Sequence, residues 1–224
     1  MTPTLALALQ DFVPVFLTLL ALIWITRIIF SMDQRSGLVG IIGSSLVILG
    51  GLLKAISKLL WVISGDLILW MENSLFVLMA PGFGLLAWAI WTGQKSSFRG
   101  VETKYVFQVP TVFVLLVGGG TAIFGFSSEG RAWFFALLTL VVIMSSMMLI
   151  LLSRHAWIRR LKSTAYLFLV YLVLTLVLNG MARTPSPSIG VEWTKQLLNT
   201  AAAIILTIAS WQMWRSIKKL NMGS

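Results

Sequence analysis

The chain contains no cysteine. Disulfides, thiolate nucleophiles and thiolate metal sites are therefore excluded. It contains one histidine, His155, so a bis-histidine haem or a histidine-cluster metal site has too few ligands, and no cofactor is expected. Charge is scarce as well. Only 11% of the 224 residues are Asp, Glu, Lys or Arg, and seven of these are acidic. A soluble domain of this length needs far more polar surface. Neither G-x-x-x-x-G-K-[ST] nor G-x-G-x-x-G occurs, which argues against nucleotide use. The triplet Gly118–Gly120 lies inside an apolar run and is not a phosphate loop. His155 falls in the basic stretch "SRHAWIRRLKS", away from the acids of the apolar runs, so a Ser-His-acid relay lacks its base.

What remains is apolar. Hydrophobic residues make up 58% of the chain and mean hydropathy is +0.93. A bilayer core of ~30 Å requires about 20 such residues per helix. Seven runs qualify, at about 6–28, 38–60, 67–91, 105–125, 132–152, 164–182 and 191–214. The connections between them are too short for a soluble domain. The expectation is an all-α integral membrane protein: a seven-transmembrane-helix bundle forming one domain over 1–224. The N-terminal "MTPTLALALQ" lacks a basic leader region and a small-residue cleavage site, so it is expected to be retained.

The net charge of +10 is not a nucleic-acid patch, because it is distributed among short loops. Alternate loops carry Arg27, Arg35, Lys95, Arg99, Lys104, Arg154, Arg159, Arg160, Lys162, Arg215, Lys218 and Lys219. The opposite side carries Lys54, Lys58, Arg131, Arg183 and Lys195. The positive-inside rule assigns the richer side to the cytoplasm. This predicts N-out/C-in topology in a plasma (inner) membrane.

Tryptophans repeat a spacing. Trp70, Trp88 and Trp91 in the third run match Trp193, Trp211 and Trp214 in the seventh, both as W-x17-W-x2-W. Eighteen helical residues rise about 27 Å, so each set brackets the hydrocarbon layer. Interfacial anchoring explains this. A 3+1+3 parallel repeat, with spans 1–3 related to spans 5–7, explains it equally.

Ionisable groups at membrane depth point to function by default. Asp11 lies in the first run, Lys54 and Lys58 near the outer end of the second, and Glu72 and Asn73 at the start of the third. Asn179 and Arg183 close the sixth. Glu192, Lys195, Gln196 and Asn199 share one helical face of the seventh. All belong to the outer third of their spans. Two arrangements fit: a shared outward-facing polar cavity for a small polar or zwitterionic ligand, or a static network of mutual pairs and snorkelling ends. Pro81 and Gly82 in "MAPGFG" mark a hinge or kink in the third span. The glycine-rich second span is expected to be a tightly packed central helix. On the cytoplasmic side, Arg159 and Arg160 could hold an anionic lipid, with plain positive-inside charge as the simpler explanation.

Retinal is excluded, because a Schiff-base lysine belongs mid-membrane in the last span and that stretch reads "AAAIILTIAS". The leading functional expectation is a non-catalytic transporter or receptor-like sensor for a polar solute. An accessory or assembly subunit of a larger membrane complex comes next. A carboxylate-dependent intramembrane enzyme using Asp11 and Glu72 comes third. Oligomeric state is not readable from the sequence.

Overall fold

The computed structural model describes residues 4–100, 104–127, 132–182 and 188–222. The described residues are helical, with short turns between helices. The helices are α1 Leu5–Gln10, α2 Phe12–Met32, α3 Gln34–Ser64, α4 Leu69–Arg99, α5 Gln108–Ser127, α6 Ala132–Ile158, α7 Lys162–Ala182 and α8 Ile189–Met222. Six stretches are long and apolar enough to cross a membrane, α1 and α2 together counting as one. The described apolar part of α5, Gln108–Thr121, is shorter. The chain is thus a polytopic helical membrane protein with six to seven apolar helices.

The helix ends lie beyond the apolar runs for a physical reason. Hydropathy marks the edge of the bilayer, whereas backbone capping marks the end of the helix. Asp33 alone separates α2 from α3. Its backbone N–H donates to the Ile29 carbonyl, and its Oδ2 accepts from the Ser36 N–H at 2.7 Å, an N-cap that satisfies an otherwise orphaned donor. α3 and α4 stop at Gly65 and Gly100, both left-handed, the usual glycine terminator. α6 ends differently. Leu161 N–H returns to the Ala156 carbonyl and Arg160 N–H to the Trp157 carbonyl, a Schellman turn that holds the non-glycine Arg160 at φ 61°.

The helices α2, α3, α4, α6, α7 and α8 form a closed circuit of neighbours in that order, and α5 lies outside it against α4. Each seam of the circuit carries a side-chain hydrogen bond. Thr26 meets Ser44 across α2–α3, and Ser36 meets Thr92 across α3–α4. Gln94 donates to the Leu151 carbonyl across α4–α6, and Ser153 to the Ala165 carbonyl across α6–α7. Thr164 donates to Gln212 across α7–α8, and Thr207 to the Leu17 carbonyl across α8–α2. In lipid such bonds contribute about 0.6 kcal/mol each, so packing carries most of the association.

That packing centres on α4, not on α3 as its glycines suggest. Residues 80–87 of α4 are buried without interruption. α3 and α4 cross with their backbones in contact: a Cβ on Gly43 would lie 2.8 Å from the Gly82 carbonyl oxygen, and one on Gly82 would lie 2.9 Å from that of Gly43. Only glycine permits this approach. α4 runs helical through Pro81, which is buried, and Gly82, the next residue, forms part of this close crossing. α5 is attached at two places. The Phe113 ring covers Gly84, and Trp88 Nε1 donates to the Val106 carbonyl at 3.1 Å.

Candidate functional site at the N-terminal end

The site begins with a helix break. Pro14 has no N–H for the Gln10 carbonyl one turn earlier, and its ring crowds that carbonyl. The helix is interrupted at Asp11, between α1 and α2. Asp11 keeps right-handed helical dihedrals through the interruption and faces inward, its residue 8% exposed. Its Oδ2 lies 2.8 Å from Lys58 Nζ of α3. This ion pair satisfies the carboxylate oxygen, which has no other polar partner among the described residues. Next to Asp11, Gln10 Nε2 donates to Thr200 Oγ1 of α8 at 3.0 Å. Thr200 in turn donates to the carbonyl of Gln196. The Gln196 side-chain oxygen is buried and has no hydrogen-bond partner among the described residues. Lys195 and Glu192, one turn earlier on α8, pair at 3.5 Å.

The expected polar residues therefore divide. Asp11 and Lys58 are brought together, and a second link, Gln10 to Thr200, joins the same helix break to the α8 turn that carries Lys195, Gln196 and Glu192. Lys54, Glu72 and Asn199 are exposed. Asn73 is partly buried. Asn179 spends its amide on its own helix, donating to the Thr175 carbonyl at 2.7 Å. Arg183 lies outside the described residues. Gln10 and Thr200 were missed by sequence reasoning, since neither is charged. The signal available for Gln10 was its place one turn before Pro14.

The opposite end is basic and is built differently. Among the described residues its carboxylate is Asp33, which serves as a helix cap. Four cations lie over indole rings there: Arg27 over Trp24 at 4.9 Å, Lys95 over Trp91 at 5.5 Å, Lys162 over Trp157 at 5.9 Å and Arg215 over Trp211 at 5.3 Å. His155 belongs to α6 and not to a loop, and it is fully buried against Phe98. Its Nε2 accepts from Arg159 Nε at 2.8 Å. Burial lowers the Arg159 guanidinium pKa from its ordinary value, yet arginine remains charged in proteins. The imidazole proton therefore resides on Nδ1. Arg159 is thus directed inward, whereas Arg160 is exposed.

The comparisons add no relative: no family model, curated protein or solved structure matches this chain.

Proposed function

We propose that this protein is a non-catalytic plasma (inner) membrane component that binds a small polar or zwitterionic solute at its outer end, as a transporter or receptor-like sensor. The observation that carries this reading is the Asp11–Lys58 pair at a helix break. A carboxylate and an ammonium at one point present complementary partners to the two charged groups of a zwitterion. The unpartnered Gln196 oxygen nearby along α8 offers an acceptor for a ligand N–H or O–H. The solid middle of α4, with Gly82 against Gly43, favours the sensor over the transporter in this conformation, since transport requires that crossing to open.

N-out/C-in topology goes with this reading. It is supported by the one-sided distribution of Lys and Arg and by the four Trp–cation pairs at the same end. A 3+1+3 parallel repeat has partial support. Exchanging α2, α3 and α4 for α6, α7 and α8 leaves the circuit of neighbours unchanged, with α5 as the connector. The tryptophan echo adds little, because matched rings have different surroundings. Trp88 donates to a backbone carbonyl, while Trp211 lies under Arg215.

A thermal-shift screen of zwitterionic metabolites on the purified full chain tests the function. At least one compound should raise the unfolding midpoint of the wild type, and that shift should vanish in Asp11→Asn and Lys58→Ala. If both variants lower the midpoint while every ligand shift persists, the pair is a static network.

The outward face of α5 favours a second role, as an accessory subunit in a larger membrane complex. Leu115, Leu116 and Ile123 are about two-thirds exposed, and Gly118, Gly119 and Gly120 have open space where a Cβ would stand. Copurification of a stoichiometric membrane partner that is lost on Gly119→Leu replacement would establish that role.

A further inference from the structure

The seam between α2 and α8 at the basic end is equipped beyond what insertion requires. Trp24 of α2 stacks on Trp214 of α8, with ring centroids 6.4 Å apart and 27° between planes. Arg27 lies over Trp24. Arg215, which follows Trp214 in the chain, lies over Trp211. The exposed Lys218 and Lys219 come one turn later on α8. One guanidinium therefore rests on the indole stack and a second on the neighbouring indole of α8, where two adjacent helices leave the apolar layer. Their neighbours towards the bilayer centre are exposed aliphatic residues, Leu20 and Ile23 on α2 and Ile204 and Ile208 on α8.

Each element of this arrangement suits one class of partner. Guanidinium binds phosphate oxygens bidentately. Resting on an indole face holds it near headgroup depth, where tryptophan itself prefers to lie. The aliphatic surface beside it accepts acyl chains. The Asp33 carboxylate accepts from the Ser36 N–H, and so is already committed to capping α3. We propose that the α2–α8 seam at the basic end binds the phosphate of an anionic phospholipid headgroup, with Arg27 and Arg215 as its ligands. This site is separate from Arg159 and Arg160 on α6, where Arg159 Nε–H is engaged by His155. The inference does not depend on the outer solute site.

Native mass spectrometry of the full chain, released from micelles containing phosphatidylglycerol and phosphatidylcholine, reads the proposal directly. The wild type should retain phosphatidylglycerol in preference to phosphatidylcholine. Arg27→Ala and Arg215→Ala should each reduce that retention about fivefold, and the double variant about thirtyfold, as expected for loss of one surface cation at a time. Arg27→Lys with Arg215→Lys should restore only a minor part of it, because an ammonium cannot bind phosphate bidentately. Arg154→Ala, a cation of the same end but another helix, should leave it within about twofold. Equal losses from Arg154→Ala would overturn the proposal in favour of diffuse surface charge. Displacement of the lipid by equimolar inorganic phosphate would also overturn it, because the seam would then be a site for a soluble anion. If the double variant fails to fold, the two single variants still decide the matter.

Discussion

Asp11, at the break between α1 and α2, holds Lys58 of α3 at 2.8 Å, with the two side chains 9% and 17% exposed. Pro14, three residues downstream, removes the backbone hydrogen bond to the Gln10 carbonyl beside this pair. An ion pair at this depth stabilises the bundle little as a pair, but losing one partner strands the other.

That asymmetry is measurable. Breaking a fully buried pair costs about 3–5 kcal/mol, and the residual exposure of Lys58 reduces the expectation to about 2 kcal/mol. Asp11→Asn and Lys58→Met should each lower thermal stability in detergent by that order. The double variant should recover most of the loss, giving a coupling energy well above experimental error.

The α3–α4 crossing yields a sharper contrast. Gly43→Ala places a Cβ 2.8 Å from the Gly82 carbonyl oxygen, and backbone must move. A cost of about 1–3 kcal/mol is expected, as for overpacking generally. Gly118→Ala meets open space and should be neutral or stabilising, since alanine is the better helix former by about 1 kcal/mol. Unfolding midpoints of the two variants, measured side by side, check this.

Arg160 occupies a left-handed conformation in which non-glycine residues pay about 1–2 kcal/mol. Arg160→Gly should therefore raise the unfolding midpoint. A fall would mean that its guanidinium supplies more than the turn costs.

Interhelix hydrogen bonds should prove modest. Gln94→Leu removes the donor to the Leu151 carbonyl and Thr164→Val the donor to Gln212. Each is expected to cost about 0.6 kcal/mol, less than Gly43→Ala, in chemical or thermal unfolding.

Much of this architecture was legible in the sequence, and the parts that were not share one cause. Long apolar runs announce membrane helices because the bilayer demands length and apolarity. They do not announce which face of each helix points inward, because lipid and protein interior are alike apolar and no polar face reveals the rotation. Asp11 and Lys58 could be named as intramembrane charges, but their pairing depended on the relative rotation of two apolar helices, which no polar face records. Lys54, one turn from Lys58, was indistinguishable from it and is exposed. Glycines in the second span suggested a central helix. The Gly43–Gly82 contact shows why they are there, although α4 is the more buried partner. His155 read as a loop residue because basic residues surround it. Its burial comes from Phe98 of a distant helix, which no local pattern records.

The absence of cysteine permits a direct test of the site at Asp11 and Lys58. A single cysteine replacing the exposed Lys54, one turn from Lys58, can be probed from the N-terminal face with a membrane-impermeant maleimide, in sealed vesicles, with and without solutes found by thermal shift. The account predicts labelling from that face alone, slowed by a solute that fails to protect the Asp11→Asn background. Labelling that no solute slows, or none at all before unfolding, would contradict a solute site there and leave the outer polar groups as partners of one another.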